Sequence, residues 1–292
     1  MREIIKKLRK YEIQIRKALN TQMQGDFRSI FKGSGLEYED VRAYQYGDDV
    51  RSIDWNVSAK GHGTFVKTFK EDKEQVVFFM LDVSASEEIG TPGKQKLDIG
   101  KEICGVLALA ASKESSQTGV MCFSDTREMY VKPTKGEKKA YEIIGRLYDL
   151  KAKSRKTNIN DALAFTMKTL KRRAIIIIIS DFIDEDYHHN LKAMAKRHDL
   201  IVLHISDKRE TLLPKLGMVP ILDKENNKTV WVNTSSSFFR SKLTDTYITK
   251  NSELQTFCKK HQINFLSVDT NEDYVPQLIR MFKIRNQSFK SV

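Results

Sequence analysis

Asp82, Ser84 and Ser86 stand at alternate positions directly after the apolar run Val76-Val77-Phe78-Phe79-Met80-Leu81. A second apolar run, 174–179, leads into Ser180 and Asp181. Thr157 lies just before a third segment, 160–169, whose apolar residues have helical spacing. Two carboxylates and three hydroxyls are all hard oxygen donors. Such a set suits Mg²⁺ first, with Mn²⁺ or Ca²⁺ as alternatives, and waters or a partner's carboxylate complete the shell. Zn²⁺ is disfavoured, because no Cys or His stands at these positions. Each residue alone also reads as a helix cap, since Ser, Thr and Asp are the preferred capping types. Convergence separates the two readings. Neighbouring carboxylates repel and raise one pKa unless positive charge lies between them. The basic residues nearest Asp181 in sequence, Arg172 and Arg173, sit at the opposite end of its strand. A divalent cation is the economical answer.

Bringing these residues together requires a particular fold. From residue 75 the pattern alternates: strand 75–81, helix 94–115, strands 118–123 and 128–132, helices 136–150 and 160–169, strand 174–180, helix 187–197 and strand 200–205. Helix 252–260, strand 264–268 and helix 274–286 follow. The 174–180 run has no polar alternation, so it is expected to be buried on both faces. The pattern predicts an α/β fold with a mostly parallel sheet of about six strands and helices on both faces. Ligands of such sheets bind beyond the C-terminal strand ends, where the strand order reverses. Residues 207–250 interrupt the rhythm with a hairpin, 218–222 against 229–233. Residues 2–24 read as one helix with the apolar stripe Ile4, Leu8, Tyr11, Ile15 and Ala18, expected to pack on the body of the protein. Residues 26–72 read as a loop-rich β element with turns at Gly33-Ser34-Gly35, Gly47-Asp48-Asp49 and Gly61-His62-Gly63. Two domains are expected, 1–72 and 73–290, the second carrying the insertion at about 207–250.

Composition narrows the function classes. The longest uncharged apolar runs, 103–111 and 174–179, are too short to span a bilayer. The first ten residues are charged throughout and lack a signal-peptide core, so a cytoplasmic location is expected. Cys104, Cys122 and Cys258 lie far apart in apolar surroundings and are expected to be buried, reduced thiols. The net charge of +12 suits nucleic acid or an anionic surface. That charge is spread, however, and its tightest cluster, Lys151 to Lys156, has no interleaved aromatics. A solvated basic face is expected there, and nucleic acid is not the expected partner. His188-His189 reads as a solvated helix start.

The combination of Asp82-x-Ser84-x-Ser86, Thr157 and Asp181 resembles the metal-ion-dependent adhesion site of von Willebrand factor A domains. The resemblance implies a Rossmann-like fold with Ser84, Ser86 and Thr157 near the metal. It also implies that Asp82 and Asp181 bind the metal directly or through water, and that an acidic residue of a partner takes the open position. The stretch from Gly47-Asp48-Asp49 through Arg51 to Asp54-Trp55 looks like the bacterial domain-of-unknown-function-58 family. So do Arg209-Glu210-Thr211-Leu212-Leu213-Pro214 and the closing Phe282-Lys283-Ile284-Arg285, and the similarity covers roughly 25–290. Members often accompany MoxR-type AAA+ ATPases, which implies an assembly or chaperone-like role. That family usually has Met after Asp-x-Ser-x-Ser, whereas this chain has Glu87-Glu88. These two are either first-turn acids favoured by the helix dipole or occupants of the metal's open position. Upstream, Asp48, Asp49, Arg51 and Asp54 are expected to form a charge-paired network with Trp55 as apolar anchor.

The expected function is therefore a non-enzymatic, metal-dependent protein-interaction module. It needs no nucleophile or general base, and the sequence offers none. One alternative is a Mg²⁺-dependent phosphohydrolase or nuclease, which metal and basic surface would suit. An aspartyl-nucleophile phosphatase would place a second carboxylate where Ser84 stands. Another alternative is a nucleic-acid binder, marked by affinity that falls steeply with salt.

Overall fold

The computed structural model describes residues 1–20, 36–61, 63–71, 75–114, 116–210, 214–223 and 228–290. The chain begins with α1 (Arg2–Asn20) and the antiparallel pair β1 (Leu36–Ala43) and β2 (Phe65–Glu71). Strands and helices then alternate: β3 (Val76–Asp82), α2 (Lys96–Lys113), β4 (Gln117–Phe123), β5 (Arg127–Thr134), α3 (Glu137–Asp149) and α4 (Ile159–Thr169). Next come β6 (Ile175–Ser180), α5 (His188–Arg197) and β7 (Asp199–Ser206). The hairpin β8 (Met218–Asp223) and β9 (Lys228–Asn233) intervenes before α6 (Ser237–Lys260), β10 (Asn264–Asp269) and α7 (Tyr274–Lys290).

Six of these strands form one sheet in the order β10-β7-β6-β3-β4-β5. Every neighbouring pair is parallel except β4 with β5. The chain builds outward from β3 on one side, then restarts at β6 on the other. The strand order therefore reverses between β3 and β6, where an open α/β sheet offers a binding crevice. Both strands are buried on both faces, which is why their sequences do not alternate. Val77, Phe79, Leu81, Ile175, Ile177 and Ile179 face the core shared with α2. Phe78, Met80, Ile176 and Ile178 face the opposite core, with Leu163 and Leu191. Leu81 pairs with Ile179 in the parallel register, so Asp82 and Ser180 leave the sheet side by side.

Helix α1 packs on its own body. Leu8 and Ile15 are fully buried in the core that also holds Leu107 and Ile144. Close approach requires a glycine: a Cβ at Gly105 would lie 2.9 Å from Leu8 Cδ1. The Tyr11 and Tyr274 rings meet edge-on, with centroids 5.8 Å apart. Of the expected helix 2–24, the last four residues lie outside the described ones, as do Gly33-Ser34-Gly35 and His62. The three cysteines are free and buried. Among the described residues, no helix is long and apolar enough to cross a membrane.

Two expectations are corrected. The helix expected at 252–260 begins at Ser237, where Ser236 Oγ accepts the Phe239 amide at 3.3 Å. Its first turns mix polar and apolar residues all round and bury none of them, the buried residues Leu254 and Cys258 lying near its end, so no helical period is visible in that part of the sequence. The second correction concerns the upstream motif. Trp55 is 67% exposed and is not a buried anchor, because among the described residues the two-stranded ribbon offers no second layer against which to bury an indole. The acids there act locally. Asp48 holds Arg42 through two contacts of 2.7 Å, Asp49 accepts the Arg51 amide at 2.9 Å, and Asp54 caps the turn Trp55–Ser58.

Leu8→Ala is expected to destabilise the protein by roughly 2–5 kcal/mol, the range for a buried leucine truncated to alanine. Urea unfolding measures this. A loss below about 0.5 kcal/mol would show that α1 is not part of the core.

Candidate metal centre

The acids and hydroxyls meet at the reversal point. Asp82 ends β3 fully buried. Its Oδ1 accepts the Ser84 amide at 3.0 Å, and its Oδ2 accepts the Ser180 hydroxyl at 2.7 Å. Ser84 occupies the N-cap position of the 3₁₀ turn Ala85–Glu88, yet its side chain makes no capping bond. Its Oγ lies 3.0 Å from Ser86 Oγ instead. The cap reading therefore fails for Ser84, and the two hydroxyls stand as a pair. Thr157 is half-buried on a loop joined to this turn by the Ala85 amide, which donates to Arg155 O at 3.0 Å. The cap of α4 is Asn158, not Thr157.

Asp181 follows β6 and is held on three sides. Its amide donates to Glu87 Oε1 at 2.8 Å, its Oδ1 accepts the Ile183 amide at 3.1 Å, and its Oδ2 accepts from Lys96 Nζ at 2.6 Å. The chain turns sharply here. Phe182 adopts a left-handed φ of 55°, a strained conformation for a bulky residue. Its amide is held by Ser180 Oγ at 3.0 Å. Glu87 and Glu88 have different fates: Glu87 is buried beside Asp181, while Glu88 is exposed. One oxygen from each of Asp82, Glu87 and Asp181 lies within 4.8 Å of the others.

Sequence reasoning placed no basic residue here, and the structure places Lys96. Its side chain is wholly buried and bridges Asp181 Oδ2 and Glu210 Oε1, each at 2.6 Å. Lys96 is the first residue of α2, 14 positions after Asp82, across a tight two-residue hairpin. It reaches the site because α2 lies against the sheet. One turn later, a Cβ at Gly100 would sit 2.8 Å from Leu81 Cδ1 and 3.4 Å from Ile179 Cγ2. The one hint in the sequence is a lysine in a first helical turn, where the dipole disfavours a cation. Glu210 had a clearer signal, because it lies in the Arg209-Glu210 motif.

Three carboxylates, Asp181, Glu210 and Glu87, thus act on one ammonium, with Asp82 beside Glu87 and Asp181, and the proton affinities of the site follow. Burial, and then the charge of Asp181, push Asp82 up to about 7. The same two causes hold Glu87 well above the usual carboxylate range. Burial also raises Glu210, against the pull of Lys96. For Lys96, burial would lower the pKa, but Asp181, Glu87 and Glu210 outweigh it and hold the ammonium charged. The donors fit a divalent cation: all are oxygen, and the acids outnumber the available positive charge. Beside the site opens a mainly apolar cleft of about 830 Å³, walled by Phe182, by Ile221, Val230 and Val232 of the hairpin and by Leu243 of α6, with Asp181 and Glu210 also lining it.

Residues 40–253 match the family described as "Protein of unknown function DUF58". An uncharacterized protein of Mycobacterium tuberculosis is 26% identical over 224 residues, covering 75% of this chain and 70% of that protein. One from Mycobacterium avium is 25% identical over 118 residues, covering 40% and 69%. Similar solved structures include BatB from Bacteroides thetaiotaomicron, with a TM-score of 0.45 and 15% identity over 74% of this chain and 98% of that one. The VWA domain of SpRpn10 has a TM-score of 0.36 and 11% identity over 70% and 94%.

Metal-free stability is expected to depend on pH through Asp82. An aspartate that titrates near 3.8 when unfolded and near 7 when folded binds its proton more tightly in the fold. Its contribution is complete below about pH 3.8 and is lost as pH rises through about 7, a difference of up to about 4 kcal/mol. His198 and His204, lowered by burial to about 4, act in the opposite direction at acidic pH. The readout is therefore wild type against Asp82→Asn in chelator, by denaturant unfolding from about pH 4 to about pH 8. Wild type should lose stability relative to the variant as pH rises, and parallel curves would refute this titration.

Proposed function

The chain belongs to the family of unknown function DUF58, and from its site we propose a non-enzymatic protein-interaction module whose partner contact depends on a bound divalent cation. The observation that supports this is the convergence of three buried carboxylates, their oxygens within 4.8 Å, beside a hydroxyl pair that caps no helix. In this reading Asp82, Ser84, Ser86 and Asp181 hold the cation, with Thr157 contributed from the adjoining loop. Mg²⁺ is favoured; Mn²⁺ and Ca²⁺ share the preference for oxygen. When bound, the cation supplies a Lewis-acid position for the carboxylate of a partner. Glu87 is the internal acid that such a carboxylate replaces. Family resemblance extends the proposal to the partner's class: a MoxR-type AAA+ ATPase, in assembly or chaperone-like work. The chain's own residues need only orient and desolvate the contact, and no proton transfer is required of them.

Mg²⁺ is expected to raise the melting temperature of wild type, with stabilisation of up to ~2.7 kcal/mol at a hundredfold excess over the dissociation constant. Asp82→Asn should respond far less. A pull-down with both proteins, in Mg²⁺ and in chelator, should recover a partner only with wild type and metal. Equal responses in the two proteins would remove the cation from the proposal. Metal-dependent phosphoester turnover that disappears in Asp82→Asn would replace it with hydrolysis.

A further inference from the structure

Lys96 does more than neutralise an acid. Its ammonium touches two carboxylates from segments with different fates. Asp181 directly follows β6 and belongs to the candidate cation site. Glu210 stands at the entrance of the insertion that carries the hairpin and walls the cleft. Glu210 is held in turn by the Asp207 amide, which donates to its Oε2 at 3.1 Å, and Asp207 Oδ1 accepts the Arg209 amide at 2.8 Å. The bridge from Asp181 through Lys96 to Glu210 thus links the end of a central strand to the base of the hairpin. Both contacts are fully shielded from water at the lysine, so the charges are screened little by solvent or salt.

We propose that Lys96 is a tethered counter-cation that competes with the divalent metal for Asp181, and that metal binding thereby releases the turn Asp207–Glu210, from which the insertion departs, from the strand end. This inference rests on the cation reading of the site and adds its regulation. The lysine and the metal need the same carboxylate and repel each other. A metal that engages Asp181 leaves the ammonium with Glu210 alone. The tie between β6 and the insertion is then broken, and the hairpin wall of the cleft becomes freer to move. Without metal, Lys96 keeps the site compact and the cleft wall anchored. The module would then present its cleft according to whether the cation is bound.

The test compares wild type, Lys96→Met and Glu210→Gln. Mg²⁺ affinity is read by calorimetry, and hydrogen exchange of residues 214–223 is followed with and without Mg²⁺. Lys96→Met removes the competing charge and should bind Mg²⁺ about tenfold or more tighter. Glu210→Gln leaves Lys96 to Asp181 alone and should bind Mg²⁺ roughly threefold or more weaker. A purely structural role would weaken binding in both variants, so opposite signs exclude it, and the exchange of 214–223 separates competition for Asp181 from a through-space charge effect. In wild type, Mg²⁺ should speed exchange across 214–223; in Lys96→Met, exchange should already be fast and insensitive to Mg²⁺. If Lys96→Met does not fold, Glu210→Gln and wild-type exchange still decide. Wild-type binding with Lys96→Met no tighter, or Glu210→Gln no weaker, overturns the competition while the cation reading stands. Wild-type exchange that is unmoved by Mg²⁺ overturns the coupling to the insertion. Absence of Mg²⁺ binding in all three proteins overturns the cation reading, and this inference falls with it.

Discussion

A single buried ammonium group, paired with two carboxylates and acted on by a third, is the constraint around which the site is arranged. Removing a charge from water costs several kcal/mol even after relaxation, and only close, well-oriented partners offset it. Lys96 also starts a helix, where the dipole opposes its charge. Asp181 and Glu210, each 2.6 Å away, offset both costs. Because those partners come from positions 85 and 114 residues further along the chain, the interaction specifies which segments meet. Its main effect is on arrangement, since a buried ion pair is a weak source of net stability.

The sheet makes that meeting possible. Parallel pairing of β3 with β6 sets Leu81 against Ile179, and the acids emerge beside each other where the strand order reverses. Helix α2 then has to lie close over the same strand ends. Gly100 permits this, with Leu81, Ile179 and Ile205 as its nearest neighbours. These three residues belong to β3, β6 and β7, the strands that lead into Asp82, Asp181 and the Asp207–Glu210 turn. One turn earlier on α2, Lys96 is carried beyond the sheet into the gap. A missing side chain in the core therefore positions a charged one outside it.

The site also carries more acid than its ammonium can balance. Asp82 and Glu87 both hold protons more tightly than exposed acids do, chiefly because they are buried. Such a cluster has two ways to relieve its repulsion, protons or a metal ion, and both draw on the same oxygens. The hydroxyls of Ser84 and Ser86, 3.0 Å apart and uninvolved in capping, add neutral donors beside those oxygens. The apolar cleft alongside is a separate resource, built largely from the insertion and α6.

Much of this was legible in the chain itself. Unbroken apolar runs ending in Asp82 and Asp181 announced two central strands with acids at their C-terminal ends. Strand–helix alternation announced a parallel sheet, because period and length are local properties. The apolar stripe of α1 announced that it would be buried. Other features had no local signature. The first turns of α6 lack a clean period, so Ser237–Lys260 could not be recognised as one helix. Trp55 reads as an anchor by residue type, yet it stays exposed, because burial depends on a second layer that no residue of the motif supplies. Glu87 and Glu88 are the same residue type one position apart, and only the 3₁₀ turn decides that the first points inward. Lys96 is the clearest case. In sequence it is one of 50 basic residues, two positions after Lys94. Its role depends on helix packing, on strand order and on an acid from a distant insertion. The sequence by itself determined the acids, the hydroxyls and the sheet that gathers them. Only the tertiary structure decided which positive charge stands between them, because electrostatic pairing depends on distance in space and not on distance along the chain.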